Sequence, residues 1–331
     1  MVLCVIGTIG LIILGFLYTP TSFLPEEDQG IIFANIQLSD TASINETSKI
    51  LSEMNDKILK TKGVKYFISV AGYSMLGGSG ENVALGVIGL KSWDERSSKN
   101  LSIEAINRDL RRQFAGNKQA TINFFAPPAI PGVGQSNGIS FDFVTMNGST
   151  SPQKLYAQLM KYLQSVNKSG YFDYAFSTFT AQTPHIYLDI DRKKLEYYKI
   201  PVSSLFATLQ NNLGSRYINN ITLSGQINKV ILQADYQYRK QLEDIGNLYA
   251  RSNDGKLVRI NSFAEVKTEL SPKIIYRFNQ YTSASVTAMS KNGVSSGLAL
   301  NELEKLEKEL PKEYGVWWTG LSLQEVETRG L

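Results

Sequence analysis

From Gly30 onward the apolar positions fall into runs of period two and runs of period near 3.6, in an order that repeats. Ile32, Ala34, Ile36 and Leu38 alternate with polar or outward positions, as a half-covered strand requires. Ser43 and Glu46 stand at capping-box spacing, and Ile44, Leu51, Met54 and Ile58 then fall on one stripe, which predicts a helix. Val64, Tyr66, Ile68 and Val70 alternate again, and a turn at Gly77–Gly78–Ser79–Gly80 leads into a strand over 83–90. Ile103, Ile106, Leu110 and Phe114 predict a second helix, and residues 120–126 a closing strand. The order β-α-β-β-α-β is that of the split βαβ, ferredoxin-like arrangement.

A second round starts at Gly138 with the alternation of Ile139, Phe141 and Phe143. Ser151–Pro152 supplies an N-cap followed by proline at the first helical position, and Leu155, Leu159, Leu163 and Val166 form the stripe of that helix. Residues 172–179 read as the returning strand. The rhythm then breaks: residues 184–271 hold short helices and a hairpin, with Tyr217–Asn220 and Gln226–Leu232 flanking Leu223–Ser224–Gly225. It resumes with strand-rich residues 274–289, a helical stripe of Ala299, Leu303, Leu306 and Leu310, and a strand over 316–319. The expected fold class is therefore α+β: two split βαβ subdomains, the second interrupted by an inserted α+β domain.

Residues 1–18 carry no charge, and as a helix they would reach about 27 Å, close to the bilayer core of about 30 Å. A basic leading region is missing and no small-x-small cleavage site precedes Pro20, so a membrane helix, entire or truncated, is expected in preference to a cleaved signal. The boundaries read as a membrane helix at 1–19, a first subdomain at 20–130, a second at 131–182 and 272–320, the insertion at 183–271, and an approach to a further membrane helix at 321–331.

The totals narrow the chemistry. The 331 residues are 43% hydrophobic and 19% charged, and the net charge of +4 arises from 34 basic and 30 acidic residues without a basic block, so nucleic acid is not an expected partner. One cysteine, Cys4, and one histidine, His185, offer neither an intrachain disulfide nor a zinc cluster, and no metal or cofactor is expected. Asp189 and Asp191 alternate with apolar residues on one strand, but no nucleophile, base or metal ligand accompanies them, so catalysis is not expected. His185 reads as structural, and the run Glu302–Glu309, with Glu304 and Lys308 spaced for an ion pair, as a solvated helix face.

Several strings then resemble one family. FLPEEDQG at 23–30, LKSW at 90–93, FAPPAI at 125–130, Thr183–Pro184 with LDID at 188–191, YARSNDGKLVRINSF at 249–263, and Trp318–Thr319–Gly320 with Gln324–Glu325 occur in the order of similar segments in AcrB-like multidrug efflux pumps of the resistance–nodulation–division (RND) family. The resemblance implies the second large periplasmic loop of such a pump: two porter subdomains and half of a docking domain, in the inner membrane of a Gram-negative bacterium with the bulk of the chain in the periplasm. It implies a proton-driven homotrimer exporting hydrophobic or amphiphilic small molecules, working with a periplasmic adaptor protein, an outer-membrane channel and the remaining half of the pump. Without that half the chain would be incomplete as a transporter.

By the same resemblance, Ile68, Tyr73 and Val87 match positions facing a deep ligand pocket. Phe33, Met75 and Gln135 match an outer pocket, and Phe125 and Phe176 its entrance cleft. Phe176 stands where the family often has a basic residue. Gly72–Tyr73–Ser74–Met75–Leu76–Gly77 resembles the glycine-rich switch loop between the pockets, where glycines permit positive φ and a change of shape. Tyr217, Asn220, Leu223 and Gly225 fall on the docking hairpin. Two other functions compete with this reading: a single-span periplasmic interaction scaffold without transport, and a metal- or lipid-exporting relative, which the dispersed methionines do not favour.

Overall fold

The computed structural model describes residues 7, 8, 10, 27–130, 132–148 and 150–329. Apart from residues 7, 8 and 10, the expected membrane helix at 1–19 lies outside them, and no described helix is long and apolar enough to cross a membrane. The chain is a mixed α/β protein that divides into two compact units, Met1–Thr183 with Pro272–Leu331, and Pro184–Ser271.

The first unit begins with β1 (Ile31–Leu38), α1 (Ile44–Ile58), β2 (Val64–Ser74), β3 (Gly78–Leu90), α2 (Ile103–Phe114) and β4 (Ala120–Phe125). The strands form an antiparallel sheet in the order β2-β3-β1-β4. Local chemistry starts both helices. Ser43 and Glu46 complete a reciprocal capping box, and the Ser102 hydroxyl accepts the N–H of Ala105. Ile32, Ala34, Ile36 and Ile88 meet Ile50, Met54 and Leu110 in one core, so α1 and α2 cover the same sheet face. Each large aliphatic side chain buried there contributes about 1.5–3 kcal/mol.

Two expectations change. Ile44, in the first turn of α1, stays 37% exposed, and Thr47 is buried instead because its hydroxyl donates to the Glu81 carbonyl at 2.6 Å. β3 starts at Gly78, five residues before the expected strand at 83, because the turn closes earlier than the glycine run suggests. The start of β1 is tied down by Arg96, whose buried guanidinium donates from both terminal nitrogens to the Asp28 carboxylate, one bond being 2.7 Å, and from Nε to Lys91 O at 2.7 Å.

β5 (Ile139–Thr145), α3 (Pro152–Lys168) and β6 (Phe172–Ser177) follow. Ser151 caps α3 by accepting the N–H of Lys154. The second unit then holds β7 (Thr183–Ile190, its first residue in the first unit), α4 (Arg192–Tyr197), α5 (Val202–Leu209), β8 (Arg216–Leu223), β9 (Gln226–Leu232), α6 (Leu242–Asn247), β10 (Tyr249–Arg251), β11 (Leu257–Arg259) and β12 (Ala264–Ser271). Strands pair as β7–β12, β8–β9 and β10–β11, and Leu195, Ile200, Leu205, Ile260 and Phe263 form a small core to which the exposed β8–β9 hairpin contributes no described residue. Asp191 lies past the end of β7 rather than on a face shared with Asp189: it caps α4, accepting from the N–H groups of Lys193 and Lys194 at 3.0 and 3.1 Å. Asp189 instead faces the Lys267 ammonium at 3.0 Å.

The chain returns to the first unit with β13 (Tyr276–Phe278), β14 (Tyr281–Ser290), α7 (Ser296–Glu307), β15 (Tyr314–Trp318) and α8 (Gly320–Thr328). The five-stranded sheet runs β13-β14-β5-β15, with β6 on β14 beside β13. Phe141, Phe143, Leu155, Leu159, Leu300 and Leu303 form its core. α7 ends at Glu307, so Leu310 packs on that core from beyond the helix. The charged run is not wholly solvated. Glu307 accepts the N–H of Val316 at 2.9 Å, and burial raises its carboxyl above the usual range. Glu304 lies 3.5 Å from Arg329 rather than pairing with Lys308.

Candidate functional site

The face of the first sheet opposite α1 and α2 is built by register. Ile68 lies opposite Val87, Val87 opposite Phe33, and Phe33 opposite Phe125. Directly opposed residues of antiparallel strands share a face, so these four form one row across β2-β3-β1-β4. Tyr66 and Val70 flank Ile68 along β2. Tyr66, Ile68, Val70 and Tyr73 are 41%, 56%, 46% and 45% exposed, an uncovered apolar strip on a folded unit. Gly89 shapes its edge, since a Cβ there would come within 2.1 Å of the Tyr66 ring.

The row is graded in depth. Phe33 and Val87 are half-buried, whereas Phe125 has no exposed surface and meets Phe33 edge-on at 6.1 Å. Phe125, expected beside the entrance cleft, is thus buried in this chain and reaches the open face only through Phe33.

At the end of this strip the segment expected as a switch loop is half strand and half turn. Gly72, Tyr73 and Ser74 belong to β2, and only residues 75–77 form the turn. Gly72 has φ of +89°, placed where the β2–β3 register shifts between Ala71 and Tyr73, and a side chain would strain that backbone. Ser74 is buried, and its hydroxyl binds three ways: it accepts the N–H groups of Leu76 at 3.2 Å and Gly77 at 2.9 Å, and hydrogen-bonds to Asn35 Oδ1. The turn is further tied by Thr178, whose hydroxyl donates to Leu76 O at 3.3 Å. Sequence reading missed this anchor, although a serine two and three residues ahead of two N–H groups is a recognisable turn signal.

Met75, Gln135 and Phe176 come together around a cavity of about 460 Å³, which the turn shares with the second sheet. Ile68, Val87, Phe33 and Phe125 do not line it. Its floor is the face of the second sheet opposite the aromatic core: Asp142 lies opposite Ser285, and Thr287 opposite both Ser140 and Phe176. The Ser285 hydroxyl donates to Asp142 Oδ1 at 2.8 Å. Burial pushes the Asp142 carboxyl above its ordinary range, more than hydrogen bonds from Ser285 and Ser283 pull it down. A second cavity, of about 260 Å³, is bordered by Asn107, Arg108, Arg111, Met289 and Lys291 and contains none of the residues expected for ligands.

In the other unit, Tyr217, Asn220, Leu223 and Gly225 lie on the β8–β9 hairpin. Ser224 and Gly225 have φ of +51° and +78°, which suits a two-residue turn matching strand twist. Tyr217, Ile221, Leu223, Ile227 and Ile231 are all more than a third exposed along it.

The chain is similar in sequence to known proteins along nearly its whole length. The sequence profile of the AcrB/AcrD/AcrF family matches residues 1–330. The multidrug/solvent efflux pump membrane transporter MepB of Pseudomonas putida is 31% identical over 98% of the chain and 30% of its own length. The multidrug export protein AcrF of Escherichia coli strain K12 is 29% identical over 96% of the chain and 31% of its own length. The multidrug resistance protein MdtF of the same strain is 28% identical over 94% of the chain and 30% of its own length. The chain therefore spans a little under a third of the relatives it matches. With a family profile running through both compact units, the chain belongs to the AcrB/AcrD/AcrF family of RND multidrug efflux pumps.

Proposed function

We propose that this chain is the substrate-binding and channel-docking portion of a proton-driven multidrug efflux transporter, acting on hydrophobic and amphiphilic small molecules. The two α/β sheets serve as ferredoxin-like porter subdomains, residues 20–130 and 131–182 with 272–320. The insertion at 183–271 serves as half of a docking domain, with the hairpin of Tyr217, Asn220, Leu223 and Gly225 as its contact arm. The setting is the inner membrane of a Gram-negative bacterium, with this portion in the periplasm. The partners are the remaining half of the pump, two further copies, a periplasmic adaptor and an outer-membrane channel.

The observation that carries the reading is the uncovered apolar row led by Ile68. A globular unit gains by burying such side chains; leaving Tyr66, Ile68, Val70 and Tyr73 open suits a surface that takes ligands transiently. Covering about 300 Å² of an amphiphile there gives about 7 kcal/mol at roughly 25 cal/mol per Å². Loss of rigid-body freedom reduces this to a modest affinity, which suits release. Ile68, Tyr73 and Val87 serve the deeper pocket. Phe33, Met75 and Gln135 serve the outer one with Phe125 and Phe176 at its entrance, and the tethered turn at 75–77 separates the two.

The test is accumulation of a fluorescent hydrophobic dye by cells that depend on the gene encoding this chain. Ile68→Asp places a charge on the open row at a position exposed enough to spare the fold, and dye retention should rise several-fold at unchanged protein level. Unchanged retention in this variant argues against the row as a ligand path. Unchanged retention on deleting the gene favours the non-transporting scaffold.

A further inference from the structure

The cavity of about 460 Å³ beneath the 75–77 turn takes its walls from two separate sheets. Met75, Leu76 and Gly78 come from the side of the first, and Asp142, Phe176 and Ser285 from the second. Among the described residues no strand pairing joins these sheets, so the room inside depends on how closely side-chain contacts hold them. Those contacts gather along and just beyond β6. Past its end, Thr178 binds Leu76 O, and the Thr183 hydroxyl donates to Asp40 Oδ2 at 2.7 Å. Near its start, the Tyr174 hydroxyl donates to Phe124 O at 2.7 Å, and Asp173 pairs with Arg111 at 2.9 Å.

Tyr174 is the centre of the second group. The Arg111 guanidinium lies over its ring, 5.1 Å from the centroid, and the ring stacks on Phe176 with centroids 5.7 Å and planes 25° apart. Two residues apart on β6, Tyr174 and Phe176 share a face of the strand. Phe176 borders the cavity and Tyr174 does not, so the Tyr174 ring joins the cavity wall to the seam between the sheets. The fastening is weak. It is one neutral hydroxyl bond and one ion pair whose side chains are 25% and 31% exposed, where solvent screens the attraction. Such a contact yields far more readily than a continuous ladder of strand bonds.

We infer that Tyr174 is a specificity-determining residue: with Arg111 and Asp173 it clasps the two sheets together and so sets the largest ligand that the cavity admits. This rests on the efflux reading above and adds a size limit to it. With the clasp closed, the cavity lies in the lower half of the range of about 300–1,000 Å³ that small-molecule pockets span. Bulkier ligands enter only when the clasp releases, which parts the sheets and frees the Phe176 ring at once. Tyr174 acts through the seam and through Phe176 rather than by touching ligand, which makes it a positioning residue.

The experiment uses the purified full-length protein in detergent and two neutral ligands of different bulk, the dye Nile red and radiolabelled paclitaxel, measured by equilibrium dialysis. Hydrogen exchange on the peptides spanning 120–126 and 172–177 reads the seam. Tyr174→Phe keeps the ring against Phe176 and loses only the hydroxyl bond. Exchange in both peptides should quicken about tenfold, the equivalent of one net hydrogen bond, while the peptide spanning 155–166 in α3 stays as it was. Paclitaxel should bind tighter by about the same factor, because its affinity scales with the fraction of open seam, and Nile red should change less than about twofold. Asp173→Asn, at an exposed position, should shift both readouts in the same direction by less, and it carries the test if Tyr174→Phe folds poorly. Seam exchange unchanged in both variants overturns the proposal, as does quicker exchange with paclitaxel binding unchanged, or a shift of both ligands alike. In those cases binding of Nile red by the wild type leaves the efflux reading standing. A wild type that binds neither ligand removes both.

Discussion

Ser74→Ala should loosen the 75–77 turn by an amount the hydrogen bonds set. One oxygen holds the N–H groups of Leu76 and Gly77 and the amide oxygen of Asn35, a residue only 2% exposed. The two N–H groups belong to half-buried residues and can turn to water, so each net bond lost costs about 1 kcal/mol or less. Asn35 Oδ1, 39 residues away in sequence, is left buried without this partner, which adds about 1–3 kcal/mol. The sum is about 2–4 kcal/mol of local opening free energy, and at 1.4 kcal/mol per tenfold the amides of Leu76 and Gly77 should exchange with solvent roughly 30-fold to several hundred-fold faster. Hydrogen exchange read by mass spectrometry on the peptide spanning the turn measures this directly. A double-mutant cycle with Asn35→Leu sharpens it: removing both partners should cost less than the two single changes summed. Exchange within threefold of wild type in Ser74→Ala, or strictly additive costs in the cycle, would refute the idea that this hydroxyl fastens the turn.

Three other outcomes follow from the same geometry. Gly89→Ala drives a methyl into the Tyr66 ring and should cost about 1–3 kcal/mol in urea denaturation, largely recovered by adding Tyr66→Ala because that ring is the obstacle. Asp28→Ala strands the buried Arg96 guanidinium and should cost about 3–5 kcal/mol, read as a lower melting temperature. Burial works to raise the Asp28 carboxyl, but Arg96, the Gly30 N–H and Trp93 together hold it below its ordinary 3.8, so its stabilisation is intact above that pH and is lost only as pH falls through the lowered value. Asp142 has the opposite sign: its carboxyl is raised by burial, so the wild type should lose stability relative to Asp142→Asn as pH climbs from about 4 through the raised value, and a wild-type-minus-variant difference flat across that range in thermal melts would contradict the buried, unpaired carboxylate.

The periodicity of the chain made most elements legible because helix stripes, caps and strand alternation are set by neighbours a few residues apart. Ser43–Glu46 and Ser151 each start a helix where their spacing places it, and Leu155, Leu159, Leu163 and Val166 are all buried. The Met75, Gln135 and Phe176 cluster could be nominated only through resemblance to a family; no spacing in the sequence joins positions so far apart. Asp142 escaped notice because an acid alternating with Phe141 and Phe143 reads as any solvent-facing strand position. The alternation does place it opposite the aromatic core, but says nothing of what lies over that face.

The sequence by itself determined where most helices and strands lie, which of their faces are apolar, that one rhythm occurs twice around an insertion, and which family the strings resemble. Only the tertiary structure decided that Ile68, Val87, Phe33 and Phe125 stand in one row, that Phe125 is its sealed end, that Ser74 reaches Asn35, and that Asp142 borders a cavity with no basic side chain among its described lining residues. The physical reason is the range of the interactions. Caps and stripes are local and written in consecutive residues, whereas strand register, burial and an unmet charge are properties of surfaces brought together from distant parts of the chain.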